Sequence, residues 1–104
     1  MKVSMDRFEA AVLAALESIP QQFKPYLDNT EFVIEQSSAD GLLGLYEGAT
    51  ALAAGQAFPE RVTVYKREHE RLADSWEDLV DEVRRTILHE VGHHFGMEEE
   101  ELPH

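Results

Sequence analysis

Cysteine is absent from all 104 residues, which removes a disulfide framework and any thiolate-held metal from consideration. Bases are scarce as well: 9 against 21 acids leave a net charge of −12, a field that repels phosphate backbones and argues against nucleic acid as a partner. No apolar run reaches the roughly 18 residues that a membrane span requires. Asp6, Arg7 and Glu9 break the one apolar stretch near the start, where a secretory signal would begin its apolar core. These absences predict a cytoplasmic protein with no membrane partner. Two hydrophobic cores do not fit in a chain this short, so one domain over 1–104 is expected.

What is present is an ordinary globular mix, 43% apolar and 29% charged, enough for one compact core. Phe8, Val12, Leu16 and Ile19 recur at helical spacing and predict a first helix over about Met5 to Ser18, ended by Pro20. Asp6 followed by Glu9 resembles its capping box. The segment to Asn29, with Pro25, reads as a loop or short turn. Three strands are expected after it: Glu31 to Gln36, Gly41 to Gly48, and Arg61 to Arg67, where Val62 and Val64 alternate with Thr63 and Tyr65. Glycines within the second strand mark a bulge or a close approach by another backbone. Ala49 to Ala57 reads as a loop. The last helix is best marked, with Ser75 and Asp78 as a capping box and Gly96 as a left-handed stop. Trp76, Val80, Val83, Ile87 and Val91 form its core face. Helix, strands and a long buried helix predict an α+β domain.

That helix ends in TILHEVGHHFGMEEEEL, Thr86 to Leu102. His89 and His93 are four apart, so both imidazoles project to one side, while Glu90 falls roughly 100° round the helix from His89. Two neutral imidazoles can hold a metal while the carboxylate, too far round to ligate, acts as general base. With no thiolate available, any zinc is held by nitrogen and oxygen; a third ligand must follow, and the acids Glu98 to Glu101 come within reach if Gly96 turns the chain back. The bland reading is a solvated helix end with incidental histidines. The capped amphipathic context favours the metal. His94, roughly 140° from His89, reads as a buried histidine of the core face, and His69 and His104 read as surface residues.

HEVGHHFGMEEEEL, with LLGLYEG and PERVTVYKRE upstream and VRRTILHEVGHHFGM around the motif, resembles the short bacterial zincin-like metallopeptidases, the minimal zincins, from about Glu31 to Leu102. The resemblance implies a small mixed sheet of about three strands packed on an N-terminal helix and a long active-site helix. The family pattern resembles HExxHxxGxxD. Carried onto this chain it implies Zn2+ held by His89, His93 and Glu99, with Glu90 as base; Glu99 is one methylene longer than the family's aspartate. It implies a peptide or protein substrate, laid as an added strand along a sheet edge near Gly44 to Gly48. An oxyanion donor must come from upstream, from Tyr46, Tyr65 or Lys66, each of which also reads as a surface or packing residue. The rival expectation is a zincin-like scaffold that keeps its metal without turnover. A weaker one is a site for iron or nickel, which His₂-carboxylate sets also suit.

Overall fold

Ser4 opens the first helix, α1 (Met5–Ser18), by accepting the Arg7 N–H on its hydroxyl at 3.1 Å. The cap is therefore Ser4 and not Asp6, which sits in the first turn, where a carboxylate suits the helix dipole. The computed structural model describes residues 1–28, 30–48 and 60–94, with His94 as backbone alone. The expected loop over 49–57 and the acids beyond Gly96 lie outside the described residues. Phe8, Ala11, Val12, Ala15 and Ile19 bury one stripe of α1, and Pro20 leads into a short 3₁₀ turn, Gln21–Tyr26.

The sheet holds β1 (Thr30–Glu35), β2 (Gly44–Glu47) and β3 (Glu60–Tyr65) in the order β1-β3-β2. β1 lies parallel to β3, pairing Thr30 with Glu60 through Glu35 with Tyr65. β2 lies antiparallel on the other side, pairing Gly44 with Val64 and Tyr46 with Val62. The sheet is thus mixed, and β3 at its centre buries Val62, Thr63 and Val64.

The third strand stops at Tyr65, two residues short of the sequence reading, because the chain turns straight into a helix that this reading missed. KREHERL forms α2 (Lys66–Leu72), a run of good helix formers stitched by the Lys66–Glu70 pair one turn apart at 3.1 Å. α3 (Trp76–His94) follows. Ser75 accepts the Asp78 N–H at 3.1 Å, but the Asp78 carboxylate reaches the Asp74 N–H, so the capping box is half formed. Leu79, Val83, Ile87, Leu88 and Val91 are buried along α3, with Trp76 and Val80 packed at the core's margin. Each full burial of such a side chain contributes roughly 1.5–3 kcal/mol.

Arg7 stacks over the Trp76 ring at 4.4 Å, and Arg84 donates to Ser18 at 3.0 Å. α1 therefore runs alongside the first half of α3 in the same sense. The second half of α3, which carries the histidines, continues beyond α1 and lies against β2 and β3. Among the described residues, no helix is long and apolar enough to cross a membrane.

Candidate metal centre

The last two turns of α3 bring His89 and His93 to the surface with ring centroids 4.3 Å apart and planes nearly perpendicular. Their Nε2 atoms lie 3.0 Å apart. Two lone pairs cannot face each other at that distance, so the space between them is made for a proton or a cation. A tetrahedral zinc with Zn–N bonds of about 2.0–2.1 Å separates its nitrogens by about 3.3 Å. Ring movement of a few tenths of an ångström would bring the two nitrogens to that spacing. Among the described residues, no group of three or more metal-binding side chains assembles. Glu99 lies outside the described residues, as do Glu98, Glu100, Glu101 and His104.

Glu90 lies beside the histidine pair and against β2. It is half-buried, and its carboxylate accepts the backbone N–H of Tyr46. Burial raises its pKa, and the neighbouring His89, His93 and Tyr46 N–H only partly offset this. The phase of the strand explains why that N–H is available. Leu43 accepts the Tyr65 N–H through its carbonyl at 3.0 Å, so alternate residues of β2 bond β3 and those between turn outward. Gly44 and Tyr46 are the outward ones, on the side of β2 away from β3.

Glycine at position 44 has a physical cause. A Cβ there would stand 2.6 Å from Cγ2 of Thr86, 3.2 Å from the Thr63 carbonyl oxygen and 3.4 Å from Cγ of Glu90. The sequence reading foresaw a close approach at these glycines. The approaching groups are mostly helix side chains, with one backbone oxygen. Beside this contact opens a cavity of about 420 Å³ walled by Leu42, Leu43, Thr86, His89 and Glu90, with the Glu82–Arg85 ion pair on its lining.

The three upstream oxyanion candidates point elsewhere. The Tyr46 hydroxyl is buried beside Glu60, and burial followed by that carboxylate pushes its pKa up. Tyr65 projects from the sheet face opposite to that of Val64 and Gly44, with its pKa raised by burial and by the acids around it, Glu35 foremost. Lys66 is buried and held by Glu70.

His69 corrects the sequence reading. Expected at the surface, it is fully buried, because α2 turns it inward. Its Nδ1 donates to the Tyr65 carbonyl at 2.7 Å, its Nε2 meets the Thr86 hydroxyl at 2.8 Å, and its ring packs against Phe8. Burial lowers its pKa, against the opposing pull of the Tyr65 carbonyl, Glu82 and Glu68. The available signal was the helical propensity of KREHERL. Recognising that helix would have placed His69 one turn from Lys66 and Ala73, which are also buried.

The sequence matches the zincin-like metallopeptidase family over residues 19–104. In structure the chain is similar to a conserved hypothetical protein from Thermus thermophilus, at 26% identity and a TM-score of 0.63, covering 89% of this chain and 94% of that one. No curated protein matches the sequence.

Proposed function

The chain belongs to the zincin-like metallopeptidase family, and from that premise we propose that it hydrolyses peptide bonds, with zinc held by His89, His93 and Glu99 and with Glu90 as general base. The observation that carries this reading is the Nε2 pair at 3.0 Å with the Glu90 carboxylate on the neighbouring flank, tied to β2, an edge strand of the described sheet. When bound, zinc polarises the scissile carbonyl and brings the pKa of water toward ~7.

The chain's own residues supply the rest. His89 and His93 bind as neutral imidazoles, so acid competes with the metal for both. Glu90 takes a proton from the attacking water and passes it to the departing amine. The Tyr46 N–H holds its carboxylate in one orientation. The substrate lies antiparallel to β2 as an added strand. The cavity walled by Leu42 and Leu43 receives an apolar substrate side chain. A cysteine-free chain needs no oxidising compartment, which supports a cytoplasmic site of action, and the charge of −12 disfavours nucleic acid as substrate.

The test is cleavage of a peptide library by the zinc-loaded parent beside Glu90→Gln. The variant retains one zinc per chain and loses hydrolysis; equal cleavage by both would remove Glu90 as base. One observation favours a second reading, a metal-holding scaffold without turnover: Tyr46, Tyr65 and Lys66 are all engaged away from the histidines. Its signature is stoichiometric zinc, chelator-sensitive melting and no cleavage by the parent.

A further inference from the structure

Thr86 stands one turn before Glu90 on α3, and its two branches meet different elements. The hydroxyl lies 2.8 Å from His69 Nε2 and 3.0 Å from the Glu82 carbonyl oxygen. The methyl fills the space that a side chain at Gly44 would need, 2.6 Å from its Cβ position. Cγ of Glu90 borders the same point at 3.4 Å. One threonine thus touches both the buried histidine and the strand beside the candidate base.

These contacts close a ring. The Tyr65 carbonyl accepts from His69 Nδ1, His69 Nε2 meets Thr86, Thr86 presses on Gly44, and the Leu43 carbonyl next to Gly44 accepts the Tyr65 N–H. Every member is fixed by a neighbour of a different element: β3, α2, α3 and β2. We infer that His69 and Thr86 are positioning residues that set the gap between α3 and β2 and so hold Glu90 against the Tyr46 N–H. The inference rests on the reading of Glu90 as general base, and it assigns neither residue any contact with reacting atoms.

Directionality is the reason for a polar pair in this place. A hydrogen bond at 2.8 Å constrains angle as well as distance, whereas an apolar contact near 4 Å permits sliding. Threonine in a helix divides between two rotamers, one for each way its hydroxyl can reach the preceding turn. His69 selects the one that aims the methyl at Gly44. Valine would keep the shape, in its single preferred helix rotamer, and lose the hydroxyl that ties this turn of α3 to His69. Misplacing a reacting group by about 1 Å can cost on the order of 100-fold in rate.

Four variants test this: Thr86→Val, Thr86→Ser, Gly44→Ala, and Gly44→Ala combined with Thr86→Ser. Thr86→Val is expected to bind one zinc per chain, to keep KM within about twofold, and to lose roughly ten- to hundredfold in kcat. Its Tyr46 amide, measured by hydrogen exchange in the metal-free chain, exchanges at least about tenfold faster than the parent's, since Glu90 no longer holds it. Thr86→Ser keeps the hydroxyl and with it the parent's Tyr46 exchange. Gly44→Ala behaves like Thr86→Val. Adding Thr86→Ser to it, which removes the opposing methyl, restores Tyr46 protection and most of kcat. A Thr86→Val protein that melts earlier yet keeps the parent's kcat and Tyr46 exchange would reduce the pair to core packing and overturn the inference. Should Thr86→Val fail to fold, the Gly44→Ala series decides alone: no rescue by Thr86→Ser overturns it. A parent that cleaves nothing defeats the assignment of Glu90 as base, while Tyr46 exchange still reports whether Thr86 holds that carboxylate in place.

Discussion

His69 and His89 sit on consecutive helices, twenty residues apart, in opposite surroundings. His69 is sealed in the core, with a carbonyl on one nitrogen and a hydroxyl on the other. His89 is exposed and faces a second imidazole across 3.0 Å. An imidazole with both nitrogens committed to the protein is a structural member, fixed in tautomer and orientation. A pair of imidazoles turned on each other at the surface leaves its lone pairs for something that is not protein. The difference predicts that the two kinds of histidine can be separated cleanly by experiment.

The largest effect belongs to the exposed pair. His93→Ala takes zinc from about one per chain to none at micromolar metal, measured by elemental analysis after gel filtration. Removing a group that only supports a ligand costs about 10–100-fold in affinity, and losing a ligand itself costs more. A variant that keeps its full zinc would place the metal elsewhere. His69→Ala inverts the outcome. Zinc stoichiometry holds, while a cavity opens beside Phe8 and the Thr86 hydroxyl keeps only the Glu82 carbonyl, which together costs about 3 kcal/mol. Thermal melting should fall by on the order of 15 °C. A change under about 1 kcal/mol would mean that the buried ring is dispensable.

Acid sharpens the same contrast at smaller cost. Burial lowers the folded pKa of His69 below its ordinary 6.5, so between those values the unfolded chain binds more protons than the folded one. Its contribution is therefore complete above about 6.5 and declines as pH falls toward the lowered folded pKa. Glu70 acts in a lower window. Burial opposes its ionisation, but the Val3 N–H and Lys66 outweigh that and hold its pKa below 4.5, so its stabilisation is lost only as pH falls below about that value. Glu90, with its raised pKa, works in the opposite sense and favours the fold as pH falls. The informative measurement is thus parent against His69→Gln, both of which carry Glu90, in denaturant melts of metal-free protein at about pH 7 and about pH 5, on either side of the ordinary histidine value. The parent should lose more stability between them than the variant. Equal losses would remove His69 as the source.

One side of this contrast was legible in the sequence, and the other was hidden for a physical reason. Periodicity reveals elements that bury one face over several turns, so α1, α3 and the alternation of Val62 and Val64 could be read directly. His89, Glu90 and His93 were legible because their spacing is a property of one helix. α2 was not, since its seven residues are almost all charged or polar and carry no apolar stripe, and with it went the burial of His69. The contacts of Thr86 with His69 and with Gly44 join residues 17 or more positions apart in the chain, and no local pattern encodes such a contact.

The smallest effect tests whether the exposed pair contributes anything to the fold itself. In metal-free protein His89→Ala removes an exposed ring that meets the equally exposed ring of His93. Substitutions of that kind change stability by less than about 0.5 kcal/mol. The same variant compared in the presence of excess zinc should fall well behind the parent, because a ligand that binds only the folded state adds about 2.7 kcal/mol at roughly 100 times its dissociation constant. The gap between parent and His89→Ala should therefore open with zinc and close with chelator. A gap that is already wide without metal would mean that the imidazole pair holds the end of α3 in place by itself, and the division between the sealed histidine and the exposed ones would fail.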